Sequence, residues 1–253
     1  MRSIKILIVT HKDFDAPTSD IYLPVCVGAG RDALKYKFQP DNTGDNISNR
    51  NNRYCELTAL YWAWKNLNSD IVGLSHYRRL FSVKKNNKNP NTLISKNDIT
   101  VLLSKSDCIV PPQKRYFQSV KNHYINCIKS RKQANRIQIE LLRETIEEKS
   151  PEYLEAFDQV MNGHCAHMLN MFIMPKETMN AYCAWLFDIL FELERKIEKR
   201  GVMFDRIMGA FSEFLLDVWM TTNHKKMVEV GVWETEKNFR KKLIWALKRR
   251  FVE

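Results

Sequence analysis

A histidine, a tyrosine and two adjacent arginines follow a short apolar segment, and they are the strongest sign of chemistry in the sequence. The apolar segment covers residues 71–74, and His76, Tyr77, Arg78 and Arg79 come soon after it. Arginine is buried only when it is paired, and its guanidinium group matches two phosphate oxygens at once. We therefore interpret the cluster as a clamp for a diphosphate, with a plain surface strand end as the alternative.

A second candidate contact to the same ligand lies at the end of the first apolar segment. Residues 4–9 read IKILIV, which is typical of a buried parallel strand, and Thr10, His11 and Lys12 follow it. In an open parallel sheet, ligands bind outside the carboxyl ends of the strands. Both segments therefore indicate an anionic ligand at one edge of a sheet, although a polar strand end without a function fits Thr10–Lys12 equally well.

An Asn-rich loop and a helix connect these two segments. Residues 41–52 contain five Asn, two Asp and one Gly, which favours turns. The loop leads to a helix N-terminus near Asn51, where anions can bind, although by composition an ordinary connecting loop is the simpler interpretation. Apolar residues at helical spacing predict a helix over 56–67, and longer helices over 176–200 and 204–220.

The charge of the chain is +11 and is concentrated in two places. Residues 236–253 hold seven Lys or Arg and two acids, and residues 108–139 hold seven Lys or Arg and no acid. Phe239, Leu243 and Leu247 fall on one face of the predicted helix over 237–251, so this tail resembles a helix that binds an anionic membrane surface. A helix packed on the domain with a solvated basic face is the alternative.

The cysteines and the hydropathy pattern predict a cytoplasmic protein. Six cysteines form no CxxC pair, which indicates reduced thiols rather than disulfides or zinc. Two histidines at 164 and 167 have metal-ligand spacing, but no neighbouring ligand completes a set. No segment has the roughly 20 apolar residues of a membrane span, and the N-terminal residues do not form a signal peptide.

Several motifs resemble, in order, the bacterial family catalogued as domain of unknown function 4422. The early ones are Thr10–Lys12, DNTGDNIS (41–48), CELTALYWAWKN (55–66) and GLSHYRRLF (73–81). The later and weaker ones are NMFIMPK (170–176), YCAWLFDILFELE (182–194) and RIMGAFSEFLL (206–216). The resemblance spans residues 4–233, and the basic tail lies outside it.

The resemblance implies a glycosyltransferase of bacterial capsule, exopolysaccharide or O-antigen synthesis. It implies an α/β fold, a single GT-A-like domain over residues 1–233 with a mixed, mostly parallel central sheet and a helix-rich C-terminal half. Residues 234–253 would then be a basic amphipathic tail. The donor would be a UDP-sugar, with galactofuranose or galactose as the candidate hexose. The acceptor would be a lipid-linked oligosaccharide at the inner face of the plasma membrane.

Transfer of a sugar from a nucleotide donor needs a stabilised diphosphate and, when the reaction inverts, a base for the acceptor hydroxyl. We expect Glu213 to be this base, with Asp205 behind it. The family usually shows Glu-Arg where this chain has Glu213-Phe214, so no role is assigned to the second position. With the family in view, Asp45 and Asn46 become candidate contacts to the donor.

We expect no metal cofactor, although Mn²⁺ or Mg²⁺ is compatible with the family. GT-A enzymes typically hold a divalent metal with an Asp-x-Asp motif after a strand, and none follows residues 71–74. The only Asp-x-Asp sequence in the chain, at residues 13–15, follows the first predicted strand instead. His76, Arg78 and Arg79 would replace the metal, and His167 and Asn170 would hydrogen-bond the acceptor or the transferred sugar.

Two other function classes remain open. The positive charge and the aromatic residues also fit a nucleic-acid-binding protein, but the aromatic residues have helical core spacing and no nucleic-acid-binding motif occurs. For these two reasons we expect no nucleic-acid partner.

The other class is a non-catalytic, membrane-associated protein. It would keep the basic tail and would release no UDP from any donor.

Overall fold

The computed structural model describes residues 2–28, 38–84 and 92–235 of the 253-residue chain. The predicted amphipathic helix over 237–251 lies outside the described residues. Among the described residues, no helix is both long enough and apolar enough to span a lipid bilayer.

Within the described ranges, one sheet of nine strands forms the centre of the fold, and a two-stranded ribbon lies beside it. The order of the main path is β10-β6-β9-β4-β1-β2-β3, and β5 joins β4 to β11. The strands are β1 (Ile4–Thr10), β2 (Tyr22–Cys26), β3 (Gln39–Pro40), β4 (Ile71–His76), β5 (Arg79–Ser82), β6 (Cys108–Val110), β7 (Lys114–Arg115), β8 (Cys165–Ala166), β9 (Phe172–Pro175), β10 (Met227–Glu229) and β11 (Gly231–Glu234). The ribbon pairs β7 with β8.

The main sheet is mixed and mostly parallel, as predicted. Strand β1 pairs in parallel with β2 and β4, and β10 pairs in parallel with β6. Strand β9 is antiparallel to both β4 and β6, so β4 and β6 point the same way. Seven of the nine strands therefore share one direction, and only β5 and β9 oppose it.

Helices cover the sheet and dominate the second half of the chain. They are α1 (Asn51–Tyr54), α2 (Leu57–Asn66), α3 (Lys96–Leu103), α4 (Val120–Asn126), α5 (Lys132–Lys149), α6 (Leu154–Asn162), α7 (Lys176–Lys199) and α8 (Ile207–Thr222). The predicted helices over 56–67, 176–200 and 204–220 correspond to α2, α7 and α8. The predicted helix start near Asn51 is the single-turn helix α1, which ends before α2 begins.

Each face of the sheet contributes to a separate hydrophobic cluster, which explains why the strand sequences are apolar throughout. Leu7 and Leu74 pack on one face with α2, α7 and α8. Ile6 and Ile8 pack on the other face with β5 and α3. A strand buried on both faces cannot alternate apolar with polar residues.

Gly73 lies at the crowded centre of the sheet, where β4 runs between β1 and β9. A Cβ atom at this position would be 2.9 Å from Ile173 Cγ1 and 3.2 Å from two side-chain carbons of Ile6. We therefore expect Gly73→Ala to lower the free energy of unfolding by about 1–3 kcal/mol, because well-packed cores resist added volume. Urea denaturation measures the effect.

The matched control is Asn68→Ala, which changes an exposed residue in the loop just before β4. Its free energy of unfolding should stay within about 0.5 kcal/mol of the wild-type value. Equal stability of the Gly73→Ala variant and the control would show that the two isoleucines move aside without cost.

Candidate active site

The carboxyl ends of the parallel strands gather most of the predicted site residues at one edge of the sheet. Thr10 ends β1, His76 ends β4 and Glu229 ends β10. Because β9 is antiparallel to β4, its beginning lies at the same edge, and Leu74 pairs there with Phe172. The segment before β9, residues 164–171, therefore joins this edge.

Tyr77 collects three basic side chains at this edge. The His11 ring meets the Tyr77 ring edge-on, with centroids 5.4 Å apart. Lys12 Nζ lies 4.9 Å from the ring centroid, and the Arg78 guanidinium carbon lies 5.3 Å from it. These cation–π contacts hold positive charge against a buried aromatic ring. We call His11, Lys12, Tyr77 and Arg78 the Tyr77 cluster.

The hairpin between β4 and β5 fixes the position of this cluster. The Tyr77 N–H donates to Val9 O at 3.1 Å. The Thr235 hydroxyl donates to Tyr77 O at 2.9 Å, and the Thr235 N–H donates to Arg78 O at 3.1 Å. The basic side chains therefore project from a backbone that is hydrogen-bonded on both sides.

The two adjacent arginines serve different parts of the site. Arg78 is exposed and forms no ion pair with a side chain in the described ranges. Arg79 begins β5 and is half-buried, and its positive charge acts on Glu213. Of the clamp predicted from His76, Arg78 and Arg79, Arg78 therefore joins His11 and Lys12 at Tyr77. Arg79 lies toward the acidic side of the site.

Thr10 and His76 make internal hydrogen bonds. The buried Thr10 hydroxyl donates to Lys12 O at 2.5 Å and accepts from the Lys12 N–H at 3.1 Å. His76 Nε2 lies 2.6 Å from Leu169 O, and because a carbonyl oxygen only accepts, Nε2 carries a proton. Thr10 therefore shapes the loop that presents Lys12, and His76 holds the segment before β9.

Glu213 lies on α8 in a partly buried position among charged groups. Burial, and then the negative charge of Glu56, raise the pKa of Glu213 to about 7. Lys114, Arg79 and the Leu169 N–H act in the opposite direction and lower the pKa. The carboxyl group can therefore take up and release a proton near neutral pH, which suits a general base.

Asn170 ties the acidic side of the site together. Its Nδ2 donates to Glu56 Oε1 at 2.6 Å and to Gly209 O at 2.8 Å. The Ser212 hydroxyl donates to Asn170 Oδ1 at 2.9 Å. The amide was predicted to contact a sugar, but in this structure it orients Glu56 beside Glu213.

Unusual backbone conformations concentrate around Glu213. In the described part of the chain, four of the five non-glycine residues with left-handed φ values belong to this region: Cys55 (51°), Leu169 (93°), Asn170 (48°) and Arg206 (67°). Cys55 precedes Glu56, and Arg206 precedes α8. Such conformations cost energy and cluster at functional sites. Their convergence is an independent reason to place the site at Glu213.

Cys55 is one of these left-handed residues, and Asp205 immediately precedes another, Arg206. The two side chains differ in burial and in reactivity. Burial, followed by the charge of Glu56, raises the pKa of the Cys55 thiol to about 11, so the thiol is protonated and is a poor nucleophile. Asp205 is exposed in the turn before α8, where its charge acts on Cys55. Asp205 therefore lies on the solvent side of Cys55, and its predicted role behind Glu213 stays a prediction.

His167 is buried in an ion-pair network. Its ring Nδ1 lies 2.6 Å from Asp217 Oδ1, and its backbone N–H donates to Asp217 Oδ2 at 2.8 Å. The other ring nitrogen, Nε2, lies 3.4 Å from Glu229 Oε1. Burial alone lowers the pKa of His167, but Asp217 and Glu229 outweigh it, and the pKa is raised above the ordinary value. Both ring nitrogens already have partners, so His167 anchors α8 and β10 instead of facing a sugar.

Asp45 and Asn46 lie at the far end of α2. The Asp45 N–H donates to Asn66 Oδ1 at 3.2 Å, and Asn66 Nδ2 donates to Asp45 O at 2.8 Å. Asn66 is the last residue of the ten-residue helix that follows Glu56, so the two lie about 15 Å apart along the helix axis. Both polar atoms of the Asn46 amide bond backbone groups of its own loop. The structure does not bring these two residues together with Glu213.

Sequence reasoning missed three charged residues that shape the site. Glu56 and Lys114 act directly on Glu213, and Asp217 holds His167. Asp217 had a visible signal, since it is the one charge in the apolar stretch LLDVWM. Glu56 and Lys114 had none, because their importance arises from contacts with distant parts of the chain.

Comparison with known proteins places the chain in a family and gives one similar solved structure. The sequence profile described as Domain of unknown function (DUF4422) matches residues 5–225. The chain belongs to this family. The DUF4422 chain also resembles the solved apo structure of WbbM, a bifunctional glycosyltransferase, with a TM-score of 0.76 and 25% sequence identity. A comparison with curated proteins gives no match.

The similarity to WbbM covers 93% of the DUF4422 chain but 46% of the WbbM chain. The chain therefore spans about half the length of that protein. The resemblance confirms the predicted fold class.

The raised pKa of Glu213 makes stability depend on pH. Its ordinary value is 4.5, so between pH 4.5 and about 7 the folded chain holds a proton that the unfolded chain has lost. Stability from this group is complete below pH 4.5 and is lost as pH rises through 7. We expect Glu213→Gln to gain roughly 1–3 kcal/mol over the wild type between pH 5 and pH 8, measured by urea denaturation.

The control for this measurement is Glu140→Gln, which changes an exposed glutamate on α5. Its stability relative to the wild type should not change across the same pH range. A difference between Glu213→Gln and wild type that is constant with pH would mean that the Glu213 carboxyl group titrates normally.

Proposed function

We propose that this chain is a glycosyltransferase domain that moves a hexose from a UDP-sugar to a saccharide hydroxyl. The observation that carries the proposal is the pairing of two chemically different groups at one edge of the sheet. Glu213, with its pKa raised to about 7, supplies a base. The Tyr77 cluster supplies positive charge on the same edge.

The donor diphosphate would bind at the Tyr77 cluster. As the bond between the anomeric carbon and the diphosphate breaks, negative charge grows on the leaving UDP, and Arg78, Lys12 and His11 would stabilise it. Because the cluster is held by a hydrogen-bonded hairpin, its charges need little reorganisation during the reaction. Arg79 would lie between the diphosphate and Glu213.

Glu213 would act on the acceptor. Its carboxylate would take the proton of an acceptor hydroxyl while that oxygen attacks the anomeric carbon, and the diphosphate would leave from the opposite side with inversion. A base with a pKa near the working pH is well suited to this step. Glu56, oriented by Asn170, would keep the pKa of Glu213 high enough for proton capture.

The finer assignments rest on the family resemblance and on charge. We propose galactofuranose or galactose as the transferred hexose, and a lipid-linked oligosaccharide of capsule, exopolysaccharide or O-antigen synthesis as the acceptor. The basic residues of 237–251 would hold the chain on the anionic inner leaflet. The basic cluster would take the place of a divalent metal, so Mn²⁺ or Mg²⁺ would not be required.

Replacement of Glu213 by Gln tests the proposed base. We expect Glu213→Gln to lower transfer by at least about 100-fold, because the amide cannot accept the hydroxyl proton. Binding of the UDP-sugar should persist, since the Tyr77 cluster is unchanged. Transfer is followed by UDP release, and donor binding by the thermal shift that the UDP-sugar produces.

The exposed Glu140→Gln variant is the matched control and should transfer at the wild-type rate. An active Glu213→Gln enzyme would remove Glu213 from the mechanism. Failure of the wild type to release a nucleotide from any UDP-, GDP- or dTDP-sugar would contradict the transferase proposal itself.

Replacement of Arg78 by Ala tests the proposed diphosphate contact. We expect Arg78→Ala to weaken binding of the UDP-sugar by about ten- to hundredfold, because a charge-assisted hydrogen bond to phosphate is lost. The matched control is Arg136→Ala, which removes another exposed arginine that has no ion pair in the described ranges. Thermal shifts with UDP-, GDP- and dTDP-sugars measure both variants.

The same donor panel with EDTA and with Mn²⁺ tests the metal-free assignment. We expect transfer to be insensitive to EDTA. Activity that disappears with EDTA and returns with Mn²⁺ would show that a metal, rather than the basic cluster, stabilises the diphosphate.

A further inference from the structure

A polar groove lies beside the candidate active site, between the segment 48–54, which includes α1, and the last turns of α7. It encloses about 640 Å³, within the range of small-molecule sites. Unlike most such sites, it is lined mainly by charged and amide side chains. Those that matter here are Asn49, Arg50, Asn52, Arg53, Phe191 and Glu194.

Glu194 makes the wall of this groove rigid. It is 6% exposed and accepts hydrogen bonds from Arg50 at 2.9 Å, Arg53 at 2.7 Å and the Tyr54 hydroxyl at 2.9 Å. These bonds hold the segment 48–54 against α7. The groove is therefore preorganised, which lowers the entropic cost of binding a ligand.

The arginines of the groove are paired with glutamates, and this pairing favours a neutral ligand over an anionic one. Glu194 pairs with both Arg50 and Arg53. Glu198 also pairs with Arg53, so two carboxylates face two guanidinium groups. Arg195 forms a two-point ion pair with Glu192 at 2.6 and 3.1 Å. Because the groove has little uncompensated positive charge, it does not favour phosphate. The remaining guanidinium N–H groups can still donate to neutral hydroxyls.

Two exposed asparagine side chains and one aromatic ring complete a surface that suits a sugar ligand. Asn49 and Asn52 are exposed, and their side chains make no hydrogen bond within the described ranges. Each amide offers a donor and an acceptor, as sugar hydroxyls require. Phe191 is half-buried, and the Arg50 guanidinium carbon lies 5.1 Å from its ring centroid. The part of the ring that lines the groove offers an apolar surface to the C–H face of a pyranose or furanose ring.

The geometry points to this groove as a subsite for a neutral saccharide, the part of the acceptor that precedes the reacting hydroxyl. The inference rests on the proposed function. One wall of the groove is shared with the active site, because Asn52 O accepts the Arg206 N–H at 2.7 Å. From Asn52 the chain passes through Cys55 to Glu56, so a saccharide in the groove would extend toward Glu213.

Saturation-transfer NMR with the full chain tests the subsite directly. The probes are three neutral saccharides, methyl β-lactoside, maltotriose and mannotriose, each titrated against the wild type and the double variant Asn49→Ala/Asn52→Ala. We expect at least one probe to bind the wild type, and the double variant to raise its Kd by about two- to tenfold for each lost hydrogen bond. Neither amide bonds the protein, so the variant should fold normally.

The control is Asn68→Ala, which removes an exposed amide away from the groove and should leave Kd unchanged. No binding of any probe to the wild type, an equal Kd in all three proteins, or displacement of the bound saccharide by inorganic phosphate would overturn the subsite.

Nucleotide release by the wild type separates the two proposals. A wild type that releases a nucleotide from a sugar donor but binds none of the saccharides overturns the subsite alone. A wild type that binds a saccharide with the expected loss in the double variant, but releases no nucleotide from any donor, retains the subsite and overturns the proposed transferase function.

Discussion

The candidate site depends on one strand that runs against its neighbours. Strand β9 lies between β4 and β6 and is antiparallel to both. Its first residue therefore lies beside the carboxyl end of β4, and the preceding residues 169–171 enter the edge where the parallel strands end. Had β9 been parallel, Asn170 would lie at the opposite edge of the sheet, and no side chain would connect Glu56 to the start of α8.

This arrangement requires the chain to turn sharply in confined space. Leu169 and Asn170 have left-handed backbone conformations, as do Cys55 and Arg206 across the site. Each such conformation costs roughly 1–3 kcal/mol, and the surrounding structure must compensate. The compensation here is local, since His76 Nε2 bonds Leu169 O and the Asn170 amide has three hydrogen-bond partners.

The site separates its charges, as the proposed sugar transfer requires. The Tyr77 cluster concentrates positive charge on one side, and Glu56 and Glu213 place two carboxyl groups on the other. Two carboxyl groups that share a partly buried region cannot both ionise easily, so the pKa of one of them rises. A donor with a diphosphate and an acceptor with a hydroxyl group make complementary demands on these two sides.

Much of the architecture could be predicted from the sequence by itself. The apolar segments of β1 and β4, the face of α2 and the basic residues after β4 follow from side-chain hydrophobicity, charge and period, which are local properties. They predicted buried parallel strands with an anionic-ligand site at the strand ends. The resemblance to the family added the mixed, mostly parallel α/β sheet, and the structure has that sheet.

Only the tertiary structure decided how the polar residues divide their roles. His167 and Asn170 were equal candidates for a sugar contact, yet Asp217 occupies one and Glu56 the other. These partners lie 50 and 114 residues away along the chain. The pKa of Glu213 likewise depends on burial and on Glu56. Such properties arise from distances between segments that the fold brings together, and a linear sequence does not contain those distances.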